Sequence, residues 1–244
     1  FGVPSGKLLG FFVSQRGIEA NPDKIKAIEQ IEAPKRIKDV RRLAGCVAAM
    51  GRFISKSAER ALPFFKILKK AGPMECTPEA EAALQDFQKY LSSAPILVAP
   101  MPQDPLLLYL AATNQVASAA LVAQREVDDE VMAATEPDTT NAETTRPDDV
   151  PPRKKMMHYP VYFVSSLLQG ARSRYSDVQK LLFGLLMASR KLRHYFQAHE
   201  ITVVTRFPLQ RILHNPDATG RIVEWALELS SFGLKFESTS TIQS

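Results

Sequence analysis

Residue types that usually mark a special environment are scarce here: the 244 residues include two cysteines, one tryptophan and four histidines. Cys46 lies inside an apolar helical pattern and Cys76 at a break between patterns, so neither a disulfide framework nor a cysteine metal cluster can be built, and a reducing compartment is expected. His158, His194, His199 and His214 are scattered without zinc-ligand spacing. No apolar run approaches the roughly 20 residues a bilayer-spanning helix needs, and no basic head followed by an apolar stretch opens the chain. Membrane insertion and secretion are therefore not expected. The chain also lacks an initial methionine and enters strand-like sequence at Phe1, as a piece of a larger protein would.

What is present is enough apolar sequence, 45% of residues against 23% charged, to bury one large core or two small ones. The net charge of +5 understates the polarity, because residues 1–75 hold 15 Lys/Arg against 7 Asp/Glu, a difference of +8. Between Glu126 and Asp149, nine acidic residues face the single Arg146. A basic lobe suits phosphate backbones, whose neutralisation releases counterions, and equally suits a solvated basic face.

Periodicity divides the chain into elements. Residues 7–13, KLLGFFV, read as one buried strand ending in a turn. Asn21-Pro22-Asp23 opens a helix with Ile25, Ile28 and Ile31 as its stripe. A second helix carries Val40, Leu43, Val47, Met50 and Ile54 at helical spacing, with Lys38, Arg41, Arg42 and Arg52 mostly off that stripe. Gly45, costly in a helix, suggests another backbone passing close by. A third helix is expected over residues 59–70, broken by Ala71-Gly72-Pro73, which places the domain boundary at 75/76. Thr77-Pro78 starts the next helix, to about Leu91.

Strands are then expected at 106–111, 117–123, 161–165, 201–205 and 234–236, with helices at 177–196 and 218–229. Residues 125–157, acidic and poor in apolar content, read as a disordered insertion in a hairpin. Three strands, a helix, a strand, a helix and a strand predict a mixed α/β layer over residues 76–244.

Several ordered blocks now carry a family resemblance. FGVPSGKLLGFFVSQRGIEANPDKIKAI resembles the close of the palm subdomain in gypsy-type reverse transcriptases of retrotransposon polyproteins, and VRRLAGCVAAMGRFISKSAERALPFFKILKK resembles their thumb and its exit. TPEAEAALQDFQKYLSSAPILVAP is similar to the entry into their ribonuclease H-like domain. YFVSSLLQGARSRYSDVQKLLFGLLMASRKLRHYFQAHEITVVTRFPLQRIL, continuing through TGRIVEWALELSSFGLKFE, resembles the plant branch of these elements. The resemblance implies an α/β (α+β) fold: a palm-derived strand hairpin and helical thumb over residues 1–75, then a mixed sheet with flanking helices. It also implies a cytoplasmic, virus-like-particle setting or a nuclear one, with an RNA–DNA hybrid or template-primer and the remainder of the Pol polyprotein as partners.

Ribonuclease H hydrolysis needs clustered Asp/Glu oxygens to hold two hard divalent cations beside the scissile phosphate. At the position where active relatives carry an aspartate on the first strand, LYLAATN places Ala111; the helix glutamate corresponds to Gln179 in YSDVQKLL; and the aspartate closing the fourth strand corresponds to Arg206 in VVTRFPL. Asp177 is the remaining candidate for a shifted ligand. The resemblance thus implies magnesium for the family and no metal held in this chain. Asp128-Asp129-Glu130 opens the acidic tract and reads as a solvated loop, and the polymerase aspartates would lie upstream of Phe1.

Candidate nucleic-acid contacts are Lys7, in the segment that resembles the primer-holding hairpin, and Lys38, Arg41, Arg42, Arg52 and Lys56 in the thumb-like region. Lys7, between Gly6 and Gly10, lacks the context of a phosphate loop. Arg190, Lys191 and Arg193 form a second cluster that suits an internal surface as well as a nucleic-acid one, His194 fits a helix C-terminus, and Trp225 reads as core. Three readings follow: a positioning unit that binds the hybrid and tethers the polymerase to a downstream nuclease, an active metal-dependent ribonuclease H, or a decayed protein–protein scaffold.

Overall fold

The computed structural model describes residues 4–8, 10–34, 36–69, 77–102, 104–128, 154–215 and 220–238. The segment KLLGFFV is not one strand. Gly10, at φ +84°, turns the chain between β1 (Ser5–Leu8) and β2 (Phe11–Ser14), and β3 (Gly17–Ala20) completes an antiparallel sheet in the order β1-β2-β3. Gly17 is needed for a close approach: a Cβ there would sit 2.2 Å from the Leu97 carbonyl oxygen, where Ile18 and Leu97 exchange backbone hydrogen bonds of 2.7 and 2.9 Å.

Helix α1 (Pro22–Glu29) is capped as its sequence predicts, with Asn21 Oδ1 accepting from the Asp23 amide. Helix α2 (Ile37–Met50) buries Val40, Leu43, Val47 and Met50. Gly45 is exposed with open space at its Cβ position, so the expected neighbouring backbone is not there. The third expected helix is two, α3 (Ser57–Arg60) and α4 (Leu62–Lys69), because Pro63 is tolerated only in a first turn. Helix α5 (Pro78–Ser92) is capped by Thr77. Its Leu84, Phe87 and Leu91 join the same core as Val40, Phe53 and Phe64, so the apolar packing of the first lobe runs on through Leu97. The boundary expected at 75/76 lies outside the described residues.

The second lobe is a five-stranded sheet ordered β6-β5-β4-β7-β8. Its strands are β4 (Leu106–Ala112), β5 (Val116–Asp128), β6 (Lys154–Leu167), β7 (Ile201–Thr205) and β8 (Leu234–Ser238). Strands β4, β5 and β6 pair antiparallel, and β7 runs parallel to both β4 and β8. The mixed sheet with flanking helices is therefore the fold the sequence predicts. The β5–β6 ladder reaches Asp128↔Lys154, into both ends of the segment read as an insertion; residues 129–153 lie outside the described residues.

Against the sheet lies α6 (Asp177–Lys191), with Leu182 and Leu185 fully buried and Gly184 letting the helix settle on Ala117, whose Cβ would be 3.7 Å from an added one. The long helix expected to Phe196 is interrupted at Leu192, and α7 (Arg193–Ala198) follows. Helices α8 (Leu209–Leu213) and α9 (Arg221–Leu229) close the lobe, with Trp225 against Tyr175 and Phe183.

The two lobes meet along β6. The Ala58 amide donates to Ser165 Oγ at 3.0 Å, the Val98 amide donates to the Pro160 carbonyl at 2.9 Å, and Phe163 packs against the first core.

Candidate functional site

Strands β4 and β7 are parallel neighbours, so their C-terminal ends open on the same side, where crevices of α/β sheets accept ligands. A cavity of about 290 Å³ lies there, lined by Ala111, Asp177, Leu181, Thr205, Arg206 and Phe207 among others. The structure thus brings together three positions that the sequence had placed far apart: Ala111, Asp177 and Arg206. Gln179 is elsewhere engaged. Its Oε1 accepts from the Ser176 amide at 3.2 Å while its own amide donates to Ser176 Oγ at 3.3 Å, a reciprocal cap that starts α6.

The electrostatics of this cavity are set by cations. Among the described residues that line it, Asp177 is the one carboxylate, and its Oδ1 accepts from Lys180 Nζ at 3.3 Å. Lys180 is only 4% exposed, and its ammonium also donates to Asn114 Oδ1 at 3.1 Å, which satisfies a charge otherwise costly to bury. Arg206 adds a guanidinium to the same lining. A pair of divalent cations requires several anionic oxygens in convergence; one paired carboxylate beside a guanidinium does not fit that requirement. Sequence reasoning missed Lys180 and Phe207 here. The i,i+3 spacing of Asp177 and Lys180 was a usable signal.

The second candidate surface is α2. Once its apolar stripe is buried, helical spacing puts Lys38, Arg41 and Arg42 on its solvent side, all exposed and without an ion-pair partner among the described residues. The other basic candidates are not gathered with them. Lys7 pairs with Asp23, whose carboxyl is held below its ordinary value of 3.8 first by that hydrogen bond. Lys56 is exposed at the left-handed position (φ 54°) preceding α3.

Arg52 does something different: its guanidinium lies 4.8 Å from the Phe11 ring centroid and 4.6 Å from that of Tyr162, and its buried Nε has no hydrogen-bond partner. It is a joint between the lobes. Lys191 approaches the same Tyr162 ring at 5.8 Å, and partial burial, then Arg52, pulls its pKa below the usual lysine value. Arg190 forks onto Glu228 at 2.7 and 2.6 Å, so Arg190 and Lys191 of the basic cluster make internal contacts, while Arg193 is exposed. His194 stacks on Tyr195, and His158 lies between Tyr109 and Gln124.

Comparison with known proteins agrees with this architecture. Residues 101–232 match the family described as the RNase H-like domain found in reverse transcriptase. Over 231 residues the chain is 25% identical to the retrovirus-related Pol polyprotein from transposon 297 of Drosophila melanogaster, covering 94% of this chain and 19% of that protein. It is 24% identical over 234 residues to the transposon Tf2-3 polyprotein of Schizosaccharomyces pombe, covering 94% and 16% respectively. The chain therefore spans less than a fifth of the length of these curated relatives.

Among solved structures, the foamy viral protease-reverse transcriptase in complex with an RNA/DNA hybrid gives a TM-score of 0.71 at 16% identity, covering 99% of this chain and 30% of that one. The dRH form in complex with double-stranded DNA gives 0.71 at 16% identity, covering 98% and 38%. At that identity the likeness is one of fold.

Proposed function

The chain belongs to the family of RNase H-like domains found in reverse transcriptases, and from that premise we propose that it holds and positions an RNA–DNA hybrid or template-primer without cutting it. The observation that carries this reading is the pocket at the ends of β4 and β7. There Ala111, Arg206 and a lysine-paired Asp177 stand where hydrolysis would need converging carboxylates. The free cations of α2 support the binding half of the reading, as does the hybrid held by the foamy viral structure of the same fold.

In this reading the chain comes from a gypsy-type, plant-branch element. Residues 1–75 are the end of the palm and the thumb, and the sheet lobe tethers the polymerase to a nuclease farther along the Pol polyprotein. It works in the cytoplasm, inside a virus-like particle. Lys38, Arg41 and Arg42 contact phosphates. Lys7 and Lys56 are secondary contacts, and Arg52 acts indirectly by fixing the angle between the lobes.

Titration of the purified chain with a labelled RNA–DNA hybrid at two salt concentrations tests the binding claim. Affinity that falls steeply with salt supports it, because each phosphate contact releases counterions. Absence of binding at low salt contradicts it and leaves a protein–protein scaffold.

A further inference from the structure

The pocket at the ends of β4 and β7 holds one carboxylate, Asp177, and a guanidinium, Arg206. We propose that it is a metal-independent phosphodiester site, in which Arg206 holds a backbone phosphate of one strand of the hybrid and Phe207 packs on the adjoining sugar. The proposal rests on the hybrid-binding reading and gives it a second foothold on the opposite lobe from α2.

Four observations converge on it. Arg206 is exposed, makes no ion pair or hydrogen bond among the described residues and lines the cavity, whereas four other arginines of the lobe are committed: Arg125 to Asp104, Arg190 to Glu228, Arg172 over Phe183 and Arg221 over Tyr175. A guanidinium with five free donors matches a phosphate's geometry. Phe207 is 40% exposed at the same cavity, so an apolar face lies beside the cation for a backbone sugar to pack against.

The turn that presents the two side chains is fixed. Thr205 is buried at 4% exposure, and its Oγ1 accepts from the Phe207 amide at 3.2 Å, so Arg206 is held between two anchored residues. Finally, the pocket does not repel an anion. Asp177 is offset by Lys180, and Ala111 and Leu181 leave a neutral wall in about 290 Å³ of space. A phosphate therefore meets a cation directly where an active relative would require a metal bridge.

The test measures hybrid affinity across a salt series in EDTA and again with magnesium, for the full chain and for Arg206→Ala, Phe207→Ala and Lys89→Ala. Lys89 is an exposed cation on α5 that removes the same charge far from the pocket. The proposal expects Arg206→Ala to weaken binding about tenfold at low salt and to lower the salt slope by about one. Phe207→Ala should weaken binding with the slope unchanged, Lys89→Ala should leave both unchanged, and magnesium should never raise affinity. If the unaltered chain binds the hybrid while Arg206→Ala keeps its affinity and slope, or if magnesium raises affinity, the pocket proposal is overturned and α2 binding stands. If the unaltered chain fails to bind at low salt, both are overturned.

Discussion

On α2 three cations stand in solvent with no carboxylate partner among the described residues, whereas several on the sheet lobe are tied down: Arg125 to Asp104, Arg190 to Glu228, Lys180 to Asp177 and Lys235 to Glu200. The two regions use the same residue types for different ends. A paired cation has already surrendered its charge and geometry to the fold, and a phosphate must compete with the partner to recover them. An unpaired one costs nothing to recruit. Affinity for nucleic acid should therefore follow the unpaired cations gathered on α2 and at the pocket, and not the density of Lys and Arg along the chain.

The contrast breaks most visibly if the free cations are removed together. The triple variant Lys38→Ala, Arg41→Ala, Arg42→Ala should lose about a hundredfold in hybrid affinity at low salt, with a salt slope smaller by about three. Its urea midpoint should stay near that of the unaltered chain. Arg190→Ala, which removes a cation of the paired kind, should leave the slope alone and cost only about 0.5 kcal/mol of stability. Equal binding losses in the two variants would erase the distinction.

Next in size is the joint between the lobes. Arg52→Ala removes the cation held between Phe11 and Tyr162 and should destabilise the chain by about 2 kcal/mol in denaturant unfolding, since each partly buried ring contact is worth about 1 kcal/mol. The Lys191 pKa should then rise towards its usual value, because one of the charges depressing it is gone. Unchanged stability would mean that the joint is incidental.

A smaller effect concerns acid. The Arg125 hydrogen bond holds the Asp104 carboxyl below its ordinary value of 3.8, against the opposing effect of burial. A depressed folded value means stability that is fully present above the unfolded pKa and lost as pH falls through the folded one. The stability difference between the chain and Arg125→Met should therefore be constant above about pH 5 and shrink below about pH 4. A difference that is flat down to the acid transition would contradict the pairing. The smallest effect is expected from Gln179→Glu. A glutamate serves the same reciprocal cap, so stability should move by less than about 0.5 kcal/mol and no RNA cleavage should appear.

Much of this was legible in the sequence where a signal is local. The caps at Asn21 and Thr77, the buried stripe of α2 and the order of strands and helices in the second lobe all follow from spacing and side-chain chemistry. The misses have physical causes. KLLGFFV is apolar throughout, so its periodicity hid a turn that Gly10 makes by adopting a positive φ. Pro63 was absorbed into a helical run although it can only begin one.

The pocket was half legible. Matching to the family singled out Ala111, Asp177 and Arg206, which share one cavity, but Gln179 belongs to the cap and Lys180 went unnoticed. Arg52 could not have been read correctly from local pattern. Its ring partners lie on β2 and β6, and only the folded chain brings them to one guanidinium.

The central claim is that the chain binds the hybrid without cutting it. The most direct measurement isolates the chain–hybrid complex, incubates it with magnesium or manganese and follows RNA length on a denaturing gel, in parallel with Asp177→Ala. The account predicts full-length RNA in both samples. Metal-dependent shortening by the unaltered chain that disappears in Asp177→Ala would contradict it, and would make Asp177 the ligand of a surviving nuclease.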